Sequence, residues 1–266
     1  STYAAIALVV YLLRNKNTTE RVVQAGTNNQ YSEKLSFREN LKYVIQNKYW
    51  WILTINGIIS CAVIALNMGS MYYYLAYVCG KPQAVAIVGM ILSMPMLFLI
   101  PLSKPLVAKI GMKNGLVAGV LIMSLGRVVV GFGGSSSLTA IYIGSIIFSL
   151  GCSTHWCSYP LLCNTVEYGE WKNGHRQEGM IMSANSFGSK CGTALGTAIC
   201  GWILQLSGYN GAVQAQSSSA LTGITIVYVV LPVVLNIFSA IILSFYKLEK
   251  EYPSIIQELR NRKQEI

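Results

Sequence analysis

Residues 164–209 read NTVEYGEWKNGHRQEGMIMSANSFGSKCGTALGTAICGWILQLSGY. The first part mixes acids and bases: Glu167, Glu170, Lys172, Arg176 and Glu178. The run that follows, 180–206, is long and apolar and carries one charge, Lys190. An ammonium in hydrocarbon costs several kcal/mol unless it faces a cavity or a partner, so a lysine there marks function by default. From Glu178 to Lys190 is about 18 Å along a helix, near mid-membrane and too deep for easy snorkelling. Ser186, Lys190, Thr193 and Thr197 recur at i, i+4, i+7 and i+11, which puts them in one polar stripe. Gly188, Gly192 and Gly196 fall on a different face and let a neighbouring helix approach closely. The stripe is expected to line an aqueous cavity. The alternatives are hydroxyls bonded back to their own helix and a structural ion pair at Lys190.

Composition agrees with a membrane setting. Charged residues are 11% of the 266, against about 25% in soluble domains. Hydrophobic residues make up 53% and mean hydropathy is +0.48. All ten acids are glutamate. Six apolar segments, 50–76, 84–103, 115–132, 138–166, 180–206 and 221–246, are each long enough to cross a bilayer core of about 30 Å. Residues 3–13 are apolar but too short to span, and no basic region precedes them. They read as the end of a preceding span, and the chain, which opens on Ser1, reads as the C-terminal part of a larger membrane protein. The expected organisation is 1–14, the end of that span; 15–48, a cytoplasmic loop; 49–246, six spans; and 247–266, a cytoplasmic tail. The fold class is all-α, a polytopic membrane protein.

Lysine and arginine orient it. With 15–48 in the cytoplasm and alternation from there, seventeen of the twenty basic residues face inward, Lys81 alone faces outward, and Arg127 and Lys190 lie within spans. That asymmetry places 79–83, 133–137 and 208–219 outside and the C-terminus inside the cell membrane. It also accounts for the net charge of +10 without a nucleic-acid partner. Ser36 and Glu39 form a capping-box pattern that opens a short helix presenting Leu41, Val44 and Ile45. The tail is expected to start a helix after Pro253.

Other residues carry candidate chemistry. In 138–166, Trp156 and Tyr159 suit stacking on a sugar ring, and packing aromatics are the alternative. His155 is a proton-relay or core histidine. Pro160 is expected to kink this helix. Asn56, Ser60, Asn67 and Tyr74 share a narrow arc expected to face a cavity. Arg127 is either a gate partner or a snorkelling arginine. The cluster Glu167, Glu170, Lys172, Arg176 and Glu178 is either a solvated loop or a cytoplasmic gate latch. The seven cysteines, six of them in apolar segments, read as small packing thiols without disulfides or a metal. No nucleophile–base pair or phosphate loop occurs in an aqueous setting, so an enzyme is not expected.

Val166-Glu167-Tyr168-Gly169-Glu170, then Arg176-x-Glu178-Gly179, Ser186-Phe187, Lys190-x-Gly192 and Gly208-Tyr209, in this order and spacing, resemble a signature of the glycoside-pentoside-hexuronide:cation symporters. These are a branch of the major facilitator superfamily that includes melibiose and glucuronide carriers. The resemblance implies the six-helix C-terminal half of a twelve-span carrier that works by alternating access. It implies symport of a sugar or glycoside with Na+ or H+ and no other cofactor. The partners implied are the lipid bilayer and the N-terminal half, where cation-binding aspartates usually lie. A lysine at the position of Lys190 is implicated in coupling the cation and sugar sites, with Asn185 as a neighbour toward the sugar. An aromatic sugar contact falls around residues 155–156. The family often has aspartate where this chain has Asn164, so that carboxylate is absent here. The competing reading is a carrier-derived sensor or structural half-domain that does not transport.

Overall fold

The computed structural model describes residues 36–133 and 137–264, and all regular structure among them is helical. The expected span end at 1–14, and the loop up to residue 35, lie outside the described residues. The chain divides into two units, residues 1–40 and residues 41–266. In the first, the Ser36 amide donates to the Glu39 carboxylate at 2.9 Å, half of a capping box. That contact opens helix α1, Phe37–Ile45. Of the apolar residues expected on this helix only Val44 is buried.

Asn47, in the second unit, opens the next helix. Its side chain accepts from the Trp50 amide at 3.1 Å, capping α2, Lys48–Tyr73. It also donates to the Thr165 carbonyl at 2.8 Å, which fixes where that helix begins relative to α6. A wide turn over Tyr74–Val78 extends α2 to a candidate span of 31 residues. Next come α3, Ala84–Ile110; α4, Met112–Gly133; and α5, Leu138–Cys152. A single tight turn, His155–Cys157, leads to α6, Ser158–Asn173, and α7 is Glu178–Leu206. The short helix α8, Ser218–Thr225, runs through a wide turn at Ile226–Val230 into α9, Leu231–Ser244. The tail forms α10, Leu248–Gln264.

Four of the expected spans are long and apolar enough to cross a membrane. A fifth, α3, qualifies if its two arms, Ala84–Ser93 and Phe98–Ile110, count as one span bent by 41°. Pro95 lies between the arms and lacks the N–H that a straight helix needs. The remaining helix, α7, has 29 residues, about 43 Å of helix. It is not among the spans that composition alone identifies, because Lys190 and the hydroxyl stripe dilute its hydropathy.

Two boundaries differ from the sequence expectation. The break in 138–166 falls at Ser153–Cys157, ahead of Pro160. Pro160 stands in the first turn of α6, where the missing N–H has no intrahelical partner to lose. The tail helix begins at Leu248, and Pro253 lies inside it, five residues from its start.

Glycine sets the helix spacing. A Cβ on Gly192 would collide with the Ile58 carbonyl oxygen, and one on Gly196 would stand 2.5 Å from that of Ala62. So α7 and α2 meet backbone to backbone. A Cβ on Gly126 or on Gly144 would be 2.5 Å from the other residue's carbonyl oxygen, so α4 and α5 do the same. Two buried apolar clusters fill the interior. Leu66, Tyr74, Met123, Ile141 and Tyr228 belong to one; Leu53, Leu116, Leu161, Ile181 and Leu248 belong to the other. Large apolar side chains such as Phe98, Phe132, Leu206 and Phe238 remain exposed, a surface suited to hydrocarbon or a partner.

The tail helix ties the bundle together. The Glu249 carboxylate accepts from the Met112 and Lys113 amides at 2.7 and 3.1 Å, capping α4 and complementing its dipole. The Tyr49 hydroxyl donates to Glu251 at 3.0 Å, and the Trp171 indole donates to Glu258 at 2.7 Å.

Candidate functional site

The glycine face of α7 is consumed by packing on α2, which leaves the opposite face open. Ser186, Lys190, Thr193 and Thr197 are all exposed on it, as the spacing required. The Thr193 hydroxyl donates to the Ser189 carbonyl at 3.1 Å, and that of Thr197 donates to Thr193 at 3.0 Å. Back-bonding and exposure therefore coexist: the Thr193 and Thr197 hydroxyls each spend their hydrogen on the helix and keep acceptor lone pairs outward. Among the described residues Lys190 makes no ion pair. Asn185 is half-buried beside Gly57 of α2, about one turn from Lys190 toward the mixed-charge cluster. A cleft of about 510 Å³ runs between the two helices, lined by Cys61, Ile64, Ala65, Met68, Gly69, Thr193 and Thr197. It offers an apolar wall from α2 and acceptors from α7.

His155, Trp156 and Tyr159 diverge. The Trp156 indole donates to the Ser103 hydroxyl at 3.0 Å, and Ser103 in turn donates to the Ile100 carbonyl at 2.8 Å. Trp156 is thereby committed to holding the turn against α3. The His155 Nε2 atom is buried and meets no partner among the described residues. Tyr159 is 66% exposed and free to stack on a ligand or a partner.

Asn56 and Asn67 sit elsewhere than a cavity-facing stripe would put them. Both are fully buried. The Ser239 hydroxyl of α9 donates to the Asn56 side-chain oxygen at 2.5 Å. Both polar atoms of the Asn67 amide are without a partner among the described residues. A narrow polar arc has the same periodicity whether it faces water or a neighbouring helix, and here the neighbour is a helix. Thr54 and Asn236 are buried polar residues too, and sequence reasoning missed them.

The mixed-charge cluster is bonded within the chain. Gly174, with φ 75°, turns the chain after α6. Arg176 then bridges Glu170 at 3.0 Å and Glu178 at 2.9 Å. Lys172 donates to the Gln46 carbonyl at 3.4 Å. The Tyr252 hydroxyl of the tail donates to Glu167. Burial, and then that carboxylate, push the Tyr252 phenol up to about 12, so it stays a donor at neutral pH. A cleft of about 200 Å³ lined by Glu167, Glu170, Arg176 and Arg260 stays open beside the cluster. Sequence reasoning overlooked the tail's part here. The available signal was the set of acids at 249, 251 and 258 in a segment otherwise read as a solvated end.

Known proteins share this chain's pattern. The profile of the family described as MFS/sugar transport protein matches residues 1–250. The chain is 32% identical over 263 residues to an isoprimeverose transporter of Lactiplantibacillus pentosus, covering 97% of the chain and 53% of that protein. It is 32% identical over 249 residues to the uncharacterized symporter YnaJ of Bacillus subtilis, covering 93% of the chain and 53% of the relative. It is 29% identical over 264 residues to the glucuronide carrier protein homolog of Escherichia coli, covering 98% and 56%. The chain spans about half the length of the curated relatives it matches.

Proposed function

The chain belongs to the MFS/sugar transport protein family, and from that premise we propose that it is the C-terminal half of a cation-coupled sugar or glycoside symporter. The observation that carries this reading is the division of α7 into a glycine face packed on α2 and an exposed face bearing Ser186, Lys190, Thr193 and Thr197. A lysine in a span is tolerated at a water-filled interface between halves. Relatives named for isoprimeverose and glucuronide favour a glycoside or sugar acid as substrate. Thr193 and Thr197 would accept hydrogen bonds from its hydroxyls, and Asn185 would bond it from one turn away. Tyr159 supplies an exposed ring that would stack on a sugar's apolar face.

The coupling cation is Na+ or H+. No acid lies between Glu39 and Glu167, and none follows Glu178 until Glu249, so carboxylates for a mid-membrane cation site would come from the other half. Lys190 would face those carboxylates. Alternating access would rock one half against the other, with the bonded cytoplasmic cluster closing the inner side. Exposed apolar side chains such as Phe98 and Phe132 would meet lipid or the other half.

Orientation follows the basic residues. On a background without native cysteines, Gln83→Cys and Ser136→Cys are expected to react with an impermeant thiol reagent from outside, and Asn173→Cys is not. The reverse labelling pattern contradicts the topology. Sugar counterflow in vesicles carrying the full-length carrier tests transport itself. Exchange of labelled sugar above protein-free vesicles is expected. Its absence across a panel of glycosides and sugar acids would favour a carrier-derived protein that does not transport.

A further inference from the structure

Four lysines converge on one corner of the bundle. Helix α3 ends at Ile110 and α4 begins at Met112, so a single residue, Gly111, joins them with φ 90°. Lys109 and Lys113 stand two residues to either side of it. The Glu249 carboxylate, at the start of α10, reaches this turn. It accepts from the Met112 and Lys113 amides at 2.7 and 3.1 Å, and a Cβ on Gly111 would lie 3.1 Å from it. Lys247 and Lys250 flank Glu249 in the sequence. One contact thus brings together two pairs of lysines from distant parts of the chain.

The corner is well anchored. Lys247 lies between Tyr246, whose hydroxyl donates to the Leu161 carbonyl at 3.1 Å, and the fully buried Leu248. Lys109, Lys247 and Lys250 are exposed and Lys113 is half-buried. Two acids belong to the same corner. Glu249 is engaged by the α4 amides, and Glu251 accepts from the Tyr49 hydroxyl at 3.0 Å. Neither pairs with a lysine among the described residues. Four positive charges against two negative ones leave the corner basic. Exposed apolar side chains lead up to the lysines on both segments. Leu106 and Ile110 bracket Lys109 in α3, and Ile241 and Phe245 precede Lys247 at the end of α9.

We propose that Lys109, Lys113, Lys247 and Lys250 bind the phosphate of an anionic phospholipid headgroup, with its acyl chains against Leu106, Ile110, Ile241 and Phe245. Ammonium groups meet phosphate as point charges, and each basic residue near a charged leaflet adds to the attraction. Lysine stems lie on hydrocarbon while their heads reach the headgroup layer, which suits lysines placed at the ends of apolar spans. The positive-inside bias alone asks only for basic residues somewhere in the connecting loops. Here four gather around one turn, and the exposed hydrocarbon beside them favours a lipid over a soluble phosphate. The surface uses no residue of the exposed α7 face. It rests on the membrane setting and not on what the protein transports.

The test is thermal unfolding of the full-length carrier in a neutral detergent, titrated with phosphatidylglycerol, with phosphatidylcholine and with inorganic phosphate. The melting temperature is expected to rise saturably with phosphatidylglycerol well beyond the other two, as for a ligand that binds only the folded state. Lys113→Gln with Lys247→Gln is expected to need about tenfold more phosphatidylglycerol for half of its shift. Arg38→Gln with Lys42→Gln removes the same charge from the exposed face of α1 and is expected to leave the midpoint unchanged. If the first pair does not fold, Lys109→Gln with Lys250→Gln takes its place. Equal responses to the two lipids, a full response to inorganic phosphate, or equal midpoint shifts in the corner pair and the α1 pair would each overturn the proposal.

Discussion

Lys190→Ala in the full-length carrier is expected to abolish gradient-driven sugar accumulation while leaving the protein in the membrane at its normal level. Lys190 lies exposed between Ser186 and Thr193 on a helix whose other side is sealed against α2. Among the described residues no carboxylate pairs with it. Under the proposed reading its ammonium compensates carboxylates of a cation site across the interface. Removing one partner of such a pair strands the other, at a cost of about 3–5 kcal/mol. That corresponds to a loss of a hundredfold or more in occupancy of the coupled state, at about tenfold per 1.4 kcal/mol. Lys190→Arg is expected to rescue poorly, because a planar fork does not replace a compact point charge. The measurement is sugar uptake with and without an imposed sodium or proton gradient, normalised to protein in the membrane. Wild-type accumulation by Lys190→Ala would leave the lysine as a structural or snorkelling residue.

Gly192→Leu is expected to reduce the folded yield in detergent several-fold and to remove transport with it. A Cβ at Gly192 would stand 2.9 Å from the Ile58 Cα and 3.0 Å from its carbonyl carbon, and would collide with the carbonyl oxygen. All three are backbone atoms and cannot rotate aside. Overpacking of a well-filled interior costs about 1–3 kcal/mol, and a clash with backbone forces the helices apart. Gly188→Ala is the control, because the atoms nearest its Cβ are side-chain carbons of Thr54 and Ile58 at 3.3 and 3.4 Å, which yield by small rotations. Monodisperse yield by size-exclusion chromatography separates the two. Wild-type yield and transport in Gly192→Leu would show that the glycine face does not need to meet α2.

The two faces of α7 were legible because each residue type reports its own constraint. Glycines at every fourth position are compatible with a backbone approach, and a lysine among hydroxyls is compatible with an open face. Asn56 and Asn67 were legible only as a polar arc. Periodicity says that they share a face and nothing about what meets it, and the Ser239 hydroxyl that meets Asn56 lies 183 residues away in the chain. Trp156 posed the same difficulty: its hydrogen-bond partner, Ser103, is on a helix three elements earlier. Arg127 had a visible charge, but its sandwich between Phe148 and Tyr228 depends on two other spans. The break ahead of Pro160 escaped because a proline inside an apolar run looks like a kink, whereas in the first turn of a helix it marks a start. The tail was the largest omission. Its acids look solvated in isolation, and only the folded arrangement brings Glu249 to the amides of α4 and Tyr252 to Glu167.

Ion-coupled accumulation tests the central claim most directly. Vesicles carrying the full-length carrier are loaded without sugar, given a sodium gradient or a proton gradient in turn, and supplied with a radiolabelled glycoside that exchanges in counterflow. Transient accumulation above the external concentration under one of the two gradients, and collapse when an ionophore dissipates it, is the result expected of a cation-coupled sugar symporter. Exchange that never exceeds equilibrium under either gradient would contradict coupling and leave a passive carrier.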